Sequence, residues 1–229
     1  MTVTEAVLSR RSVRGFSDRP VSRAMVADIL TIAARAPSGV NHQPWRVHVL
    51  TGAIKDELSR KVLALRDLEP DRETHPTRFG EYDYYPAPLP EPYLSRRRKV
   101  GWDLYQYLGV VKGDRAGTWK ASGRNYAFFG APVGMIFTID KTLEQGSWLD
   151  YGMFIQSIML VAREFGLDSC AQGAWCHYYD VIREHLAIPP TRMVVCGMSL
   201  GYADPDAPTD PLRTERMALH EFVTFHDDT

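Results

Sequence analysis

The stretch LSRRSVRGF, residues 8–16, gathers Arg10, Arg11 and Arg14 around Ser12. On a helix or a tight turn Arg10 and Arg14 project to one side. A guanidinium presents paired N–H donors that suit phosphate oxygens, and a serine hydroxyl adds another donor. These residues alone leave two readings open, an anion clamp or a solvated helix end. A second candidate is APSGVNHQPWRV, residues 36–47, where Ser38, Gly39, Asn41 and Gln43 offer donors and acceptors within one short loop. Pro44 and Trp45 stiffen its exit. It reads equally as a ligand-facing loop and as a polar turn beside a structural tryptophan. The third candidate, YDYYPAPLPEPYLSRRRK at 82–99, combines prolines and a basic run with Tyr82, Tyr84, Tyr85 and Tyr93. That is more aromatic surface than a disordered linker carries, so an ordered excursion is expected.

The elements that position these groups follow from periodicity. A short helix capped by Thr4 is expected to run to about Arg10, and a longer one, capped by Ser22, to stop near Ala36 before Pro37. WRVHVLTG alternates like a half-buried strand, and residues 53–68 read as an amphipathic helix. Helical segments are expected over 94–108 and 117–129, then a strand at 131–140 with both faces buried. The helix starting near Ser147 is apolar almost all round, which predicts burial on every side, at the centre of a core or against a second subunit. SCAQGAW and MVVCGMSLGYAD read as strands around a helix at YYDVIREHLAI, and LHEFVTFHD alternates as a tail strand. Strands alternating with helices point to an α+β or α/β sandwich.

Composition narrows the function. With 229 residues, 45% hydrophobic and 24% charged, the chain suits one sizeable globular domain. The formal net charge of −1 supplies no overall field for nucleic acid or anionic membrane, so any anion site must be local. No signal peptide and no membrane-spanning run is read in the sequence, and three cysteines argue against a disulfide framework, so a reduced cytoplasmic protein is expected. No metal-ligand spacing is evident, and Cys176 beside His177 is a poor nucleophilic pair because adjacent side chains diverge. A non-catalytic RNA- or phosphoprotein-binding module on the clusters at 10–14 and 96–99 is the remote alternative.

RRSVRGF followed by APSGVNHQPWRV resembles the opening motifs of the nitroreductase family of FMN-dependent enzymes. The similarity continues through FFGAPVGMIFT, AREFGLDS and the closing GYAD, and so spans nearly the whole chain. The resemblance implies a single α+β domain over 1–229, a three-layer sandwich with a central, mostly antiparallel sheet flanked by helices, built as an intertwined homodimer. It implies that Arg10, Arg11, Ser12 and Arg14 hold FMN phosphate and ribityl. It also implies that Pro37, Ser38, Gly39, Asn41 and Gln43 line the flavin of the partner subunit. Ala171, Gln172, Gly173 and Ala174 would reach the isoalloxazine ring, and Arg213, with Arg216 as a weaker candidate, would return to the phosphate. The middle, about 70–125, resembles an inserted excursion over the substrate pocket of the nitrobenzoate-reducing branch, with Tyr82, Tyr84, Tyr85 and Tyr93 as its wall. The activity implied is NAD(P)H-driven, ping-pong reduction of nitroaromatics to nitroso and hydroxylamine products. Hydride would pass through FMN N5, with no catalytic side chain and no metal. Flavin or quinone reduction and reductive dehalogenation are the alternatives within the superfamily.

Overall fold

The computed structural model describes residues 1–73 and 78–226. Residues 74–77 of the expected excursion and Asp227 of the expected tail strand lie outside them. In chain order the elements are α1 (Val3–Ser9), α2 (Arg23–Ala33), β1 (Arg46–Thr51), α3 (Gly52–Leu68), β2 (Arg78–Phe79), β3 (Tyr82–Asp83), α4 (Tyr93–Tyr107), α5 (Arg115–Gly123), β4 (Val133–Asp140), α6 (Gln145–Glu164), β5 (Asp168–Gln172), α7 (Tyr179–His185) and β6 (Arg192–Gly201). Strands β1, β4, β6 and β5 form one sheet in that order, and every pairing is antiparallel. The sheet is central: Val133, Met135 and Phe137 face a core shared with α2 and α6, while Ile136 faces a core shared with α3 and α7. The result is the expected three-layer α+β sandwich.

The ends of the helices follow local chemistry. Thr2, two residues before the expected Thr4, caps α1 through a reciprocal bond with Glu5. Ser22 caps α2 through the Met25 N–H. On the α3 side the sheet carries glycine where aromatic rings close on it. A β-carbon at Gly134 would sit 2.5 Å from the Phe128 ring, and one at Gly197 would overlap Trp175. Phe128 and Trp175 stack on each other at 4.4 Å, and this pair fixes the segments leading into and out of the sheet.

One expectation fails. The stretch 219–227 forms no strand within the described residues; Leu219–Glu221 is a single 3₁₀ turn. Of the two settings expected for helix α6, the centre of this chain's own core is not the one found. Tyr151, Phe154, Ile158 and Ala162 form its buried stripe, while Leu149 is 73% and Met153 40% exposed. An apolar face is left uncovered by this chain.

Candidate functional site

Both ends of the chain meet at β5. Past α1 the backbone extends, Ser12 bridges in parallel to Ser169, and the Val13 N–H donates to the Ser169 carbonyl at 3.1 Å. Two further bonds tie the same segment to the residues after β6: Ser17 N–H to the Tyr202 carbonyl and Asp204 N–H to the Gly15 carbonyl, both 3.0 Å. The segment after β6 therefore runs back past Arg10. Together they enclose a cavity of about 320 Å³ lined by Arg10, Arg11, Ser12, Arg14, Arg213 and Arg216. Residues some two hundred positions apart in the sequence thus share one wall, as the resemblance implied.

The five arginines are not equivalent. Arg11 is neutralised, since its guanidinium donates to the carboxylate of Asp210 and, at 2.6 Å, to the Asp210 carbonyl. It lines the cavity as a strut between the two ends, with its charge paired to Asp210. Arg213 also caps a carbonyl of Asp210 at 2.6 Å, and Arg14 caps the Ser12 carbonyl at 3.2 Å. Among the described residues no carboxylate pairs with Arg10, Arg14, Arg213 or Arg216. Arg10 carries the consequence: burial first, then the like charge of Arg216, hold its guanidinium below the usual arginine range. The cavity holds positive charge that no carboxylate among the described residues balances, and an anion of two charges suits it.

The other end of β5 opens into a second cavity of about 710 Å³. Ala171, Gln172 and Gly173 line it, together with Tyr82, Tyr84, Trp148 and Cys196. Ala174 does not; it packs into the core and its carbonyl accepts from the Tyr126 hydroxyl at 3.3 Å. The Gln172 amide is fully engaged, donating to the Asn125 carbonyl at 2.8 Å and accepting from the Ser199 hydroxyl at 2.7 Å. It fixes the strand end and leaves the main chain to face a ligand. The Tyr82 hydroxyl donates to the Val195 carbonyl at 2.7 Å, its ring meets Trp148 edge-on at 4.8 Å, and burial pushes its ionisation far above neutrality. Tyr82 is a fixed wall whose hydroxyl is committed to Val195. Burial likewise pushes the Cys176 thiol up to about 12, which removes it as a nucleophile.

Four expected site residues do not gather as one group. Tyr82 and Tyr84 line the cavity at the end of β5, whereas Tyr85 and Tyr93 line a different one against α4. The cause is the edge-on packing of Tyr84 on Tyr85 at 4.6 Å, which turns the two neighbours to opposite sides. The loop Pro37, Ser38, Gly39, Asn41 and Gln43 lines none of these cavities within its own chain. It is nonetheless rigidly built. The Gly39 N–H donates to both Asp150 carboxylate oxygens at 3.2 and 3.1 Å, and the Gln43 N–H donates to the Ser38 hydroxyl at 3.0 Å. These bonds hold Val40, Asn41 and Gln43 at φ of 42°, 62° and 49°, a left-handed geometry that costs energy in non-glycine residues. Asp150 was not singled out in the sequence, although a lone carboxylate inside WLDYGMF is the sign of it.

A sequence profile of the nitroreductase family matches residues 7–202. The nitrobenzene nitroreductase of Ectopseudomonas oleovorans is 41% identical over 223 residues, covering 97% of this chain and 96% of that protein. The 4-nitrobenzoate reductase of Pseudomonas putida is 42% identical over 220 residues, 96% of this chain and 93% of that one. A crystal structure of the FMN- and NADPH-dependent nitroreductase NfnB of Sphigopyxis sp. strain HMH superposes with a TM-score of 0.92 at 37% identity, covering 99% of this chain and 100% of that one. The matched region begins before the arginine cluster and closes just beyond β6, so it takes in the aromatic cavity and the amino-terminal wall of the arginine cavity while Arg213 and Arg216 lie past its end, and the chain belongs to the nitroreductase family.

Proposed function

We propose that this protein is an FMN-dependent oxidoreductase that uses NAD(P)H to reduce nitroaromatic compounds. One observation carries the reading: β5 begins at a cavity of unbalanced arginine charge and ends, about 10 Å further on at about 3.3 Å per residue, in a larger aromatic cavity. A ligand with a dianionic head and a flat ring at the other end suits that arrangement. Arg10, Arg14 and Arg213, with Ser12, would hold the phosphate, and Arg216 adds to the local potential. Main-chain groups of Ala171, Gln172 and Gly173 would border the ring. When bound, FMN supplies the two-electron chemistry between nicotinamide and nitro group.

The protein's own part is to bind, orient and enclose. Tyr82 and Trp148 wall the aromatic cavity, and Asp83, Lys141 and Glu144 add polar groups to its lining. The 37–43 loop, held in strained form by Asp150 and lining neither the arginine cavity nor the aromatic one of its own chain, suits the flavin of a second copy. The exposed Leu149 and Met153 on α6 suit the same homodimer. In this reading residues 70–125 are an excursion on a single domain spanning 1–229. Three buried free cysteines suit a reducing cytoplasm, and among the described residues no helix is long and apolar enough to cross a membrane. The test is a substrate panel on purified, yellow protein. NADPH oxidation should run faster with 4-nitrobenzoate than with free FMN as acceptor; the reverse order would replace nitroreduction with flavin reduction.

A further inference from the structure

The cavity that separates Tyr85 and Tyr93 from the aromatic site measures about 650 Å³ and lies between the 85–90 segment and α4. Its walls divide by chemistry. Tyr85, Pro86 and Tyr93 make an apolar side, and Arg96, Arg97 and Lys99 make a cationic one, with the carboxylates of Asp103 and Glu215 also on the lining beside Lys99. Lys99 is already balanced, by Asp103 at 2.8 Å and Glu215 at 3.5 Å. Arg96 and Arg97 have no carboxylate partner among the described residues, and the Arg97 guanidinium sits 5.8 Å from the centre of the Tyr85 ring. Tyrosine faces beside uncommitted guanidinium forks specify an occupant that is flat and aromatic at one end and carries a phosphate dianion. A volume of this size accepts a nucleoside with one phosphate.

The position adds the rest. Tyr85 packs on Tyr84, which lines the aromatic cavity, so the two cavities are neighbours through one pair of rings. On the reading that NAD(P)H is the donor, its nicotinamide must enter the aromatic cavity, and the remainder of the molecule must lie outside it. We propose that the α4 cavity binds the adenosine 2′-phosphate end of NADPH, with Arg96 and Arg97 on the phosphate and Tyr85 or Tyr93 against the adenine. NADH presents only a hydroxyl where NADPH presents that phosphate, so these two arginines select NADPH over NADH.

Arg96 and Arg97 are both exposed, so the double variant Arg96→Ala/Arg97→Ala keeps the core intact, which its flavin content and thermal melt would confirm. In steady-state assays the ratio of kcat/KM for NADPH to that for NADH should fall at least about tenfold, the size of one lost charge-assisted contact. Calorimetric titration supplies a readout independent of turnover. Adenosine 2′,5′-bisphosphate should bind the parent protein at least about tenfold more tightly than adenosine 5′-monophosphate, and the variant should lose that margin. An unchanged coenzyme ratio, or equal affinity of the two nucleotides for the parent, would overturn the assignment. So would a variant that instead changes the preference between 4-nitrobenzoate and nitrobenzene, because the arginines would then read the acceptor's carboxylate. Failure of the parent to oxidise either coenzyme would sink the enzymatic reading itself, a result distinct from loss of the nucleotide margin.

Discussion

Arg10→Ala separates a ligand-binding arginine from a structural one. The side chain has no acidic partner among the described residues, and burial together with Arg216 holds its guanidinium below the usual range. Its backbone N–H still closes α1 on the Ala6 carbonyl at 3.0 Å whatever the side chain. Without ligand, then, alanine removes an unfavourable charge and should cost no more than about 1 kcal/mol. With FMN present it removes a charge-assisted contact to phosphate of about 1.5–3 kcal/mol, which weakens Kd by about 10- to 150-fold. Ligand stabilisation follows the logarithm of the ratio of FMN to Kd, so at fixed excess FMN the melting shift shrinks by that same energy. At about 2–4 °C per kcal/mol for a chain of this size, the FMN-induced rise in Tm should fall by about 3–12 °C. Arg11→Ala supplies the contrast. Its guanidinium is spent on Asp210, so the ligand-free protein should lose about 1–3 kcal/mol while Kd changes less. Flavin fluorescence titration and paired melts with and without FMN give all four numbers. An Arg10→Ala protein that melts early without ligand yet keeps its FMN affinity would refute the division of labour.

Asp150→Ala should release the Gly39 N–H and with it the strained loop, costing about 1–3 kcal/mol and speeding amide exchange at 39–43; unchanged exchange there would remove Asp150 as the loop's anchor. Leu149→Lys with Met153→Lys places charge on the uncovered face of α6, where each apolar side chain is worth about 1.5–3 kcal/mol if a partner buries it. Sedimentation should show dimer for the parent and monomer for the variant, and dimers in both would move the interface elsewhere. Burial first, then Arg192, lowers the pKa of His48 from its ordinary 6.5. As pH falls through that value the unfolded chain takes up the proton before the folded one, so stability is lost on the acid side and is fully present above it. Urea midpoints at pH 7.5 and 5.5 should therefore differ less in His48→Gln than in the parent; equal differences would mean that His48 does not contribute to acid lability.

How much of this was legible beforehand depended on range. Ser22 capping α2, the strand at 46–51 and the doubly buried β4 follow from caps and periods within a few residues, and the structure has them close to where they were expected. The convergence of Arg10 and Arg213 came from family resemblance, since nothing local to either residue reports the Ser12–Ser169 bridge that joins them. The same limit explains what was not legible. Arg11 and Arg10 are neighbours of one type, and only the arrival of Asp210 from the far end tells them apart. Tyr84 and Tyr85 are equally alike in the sequence, and their edge-on contact sends them to separate cavities. The tail at 219–227 has the alternation of a strand yet forms only the turn at Leu219–Glu221 within the described residues, and the apolar girth of α6 stated that the helix needs partners, in its own core or in a second subunit, without telling which.

The account rests on the arginine cavity being a phosphate site for a flavin, and flavin affinity with and without the phosphate measures that directly. Titrated against the ligand-free protein, FMN should bind at least about a hundredfold more tightly than riboflavin, the return on two or more charge-assisted contacts. Equal affinity for the two flavins, or binding of neither, would contradict it.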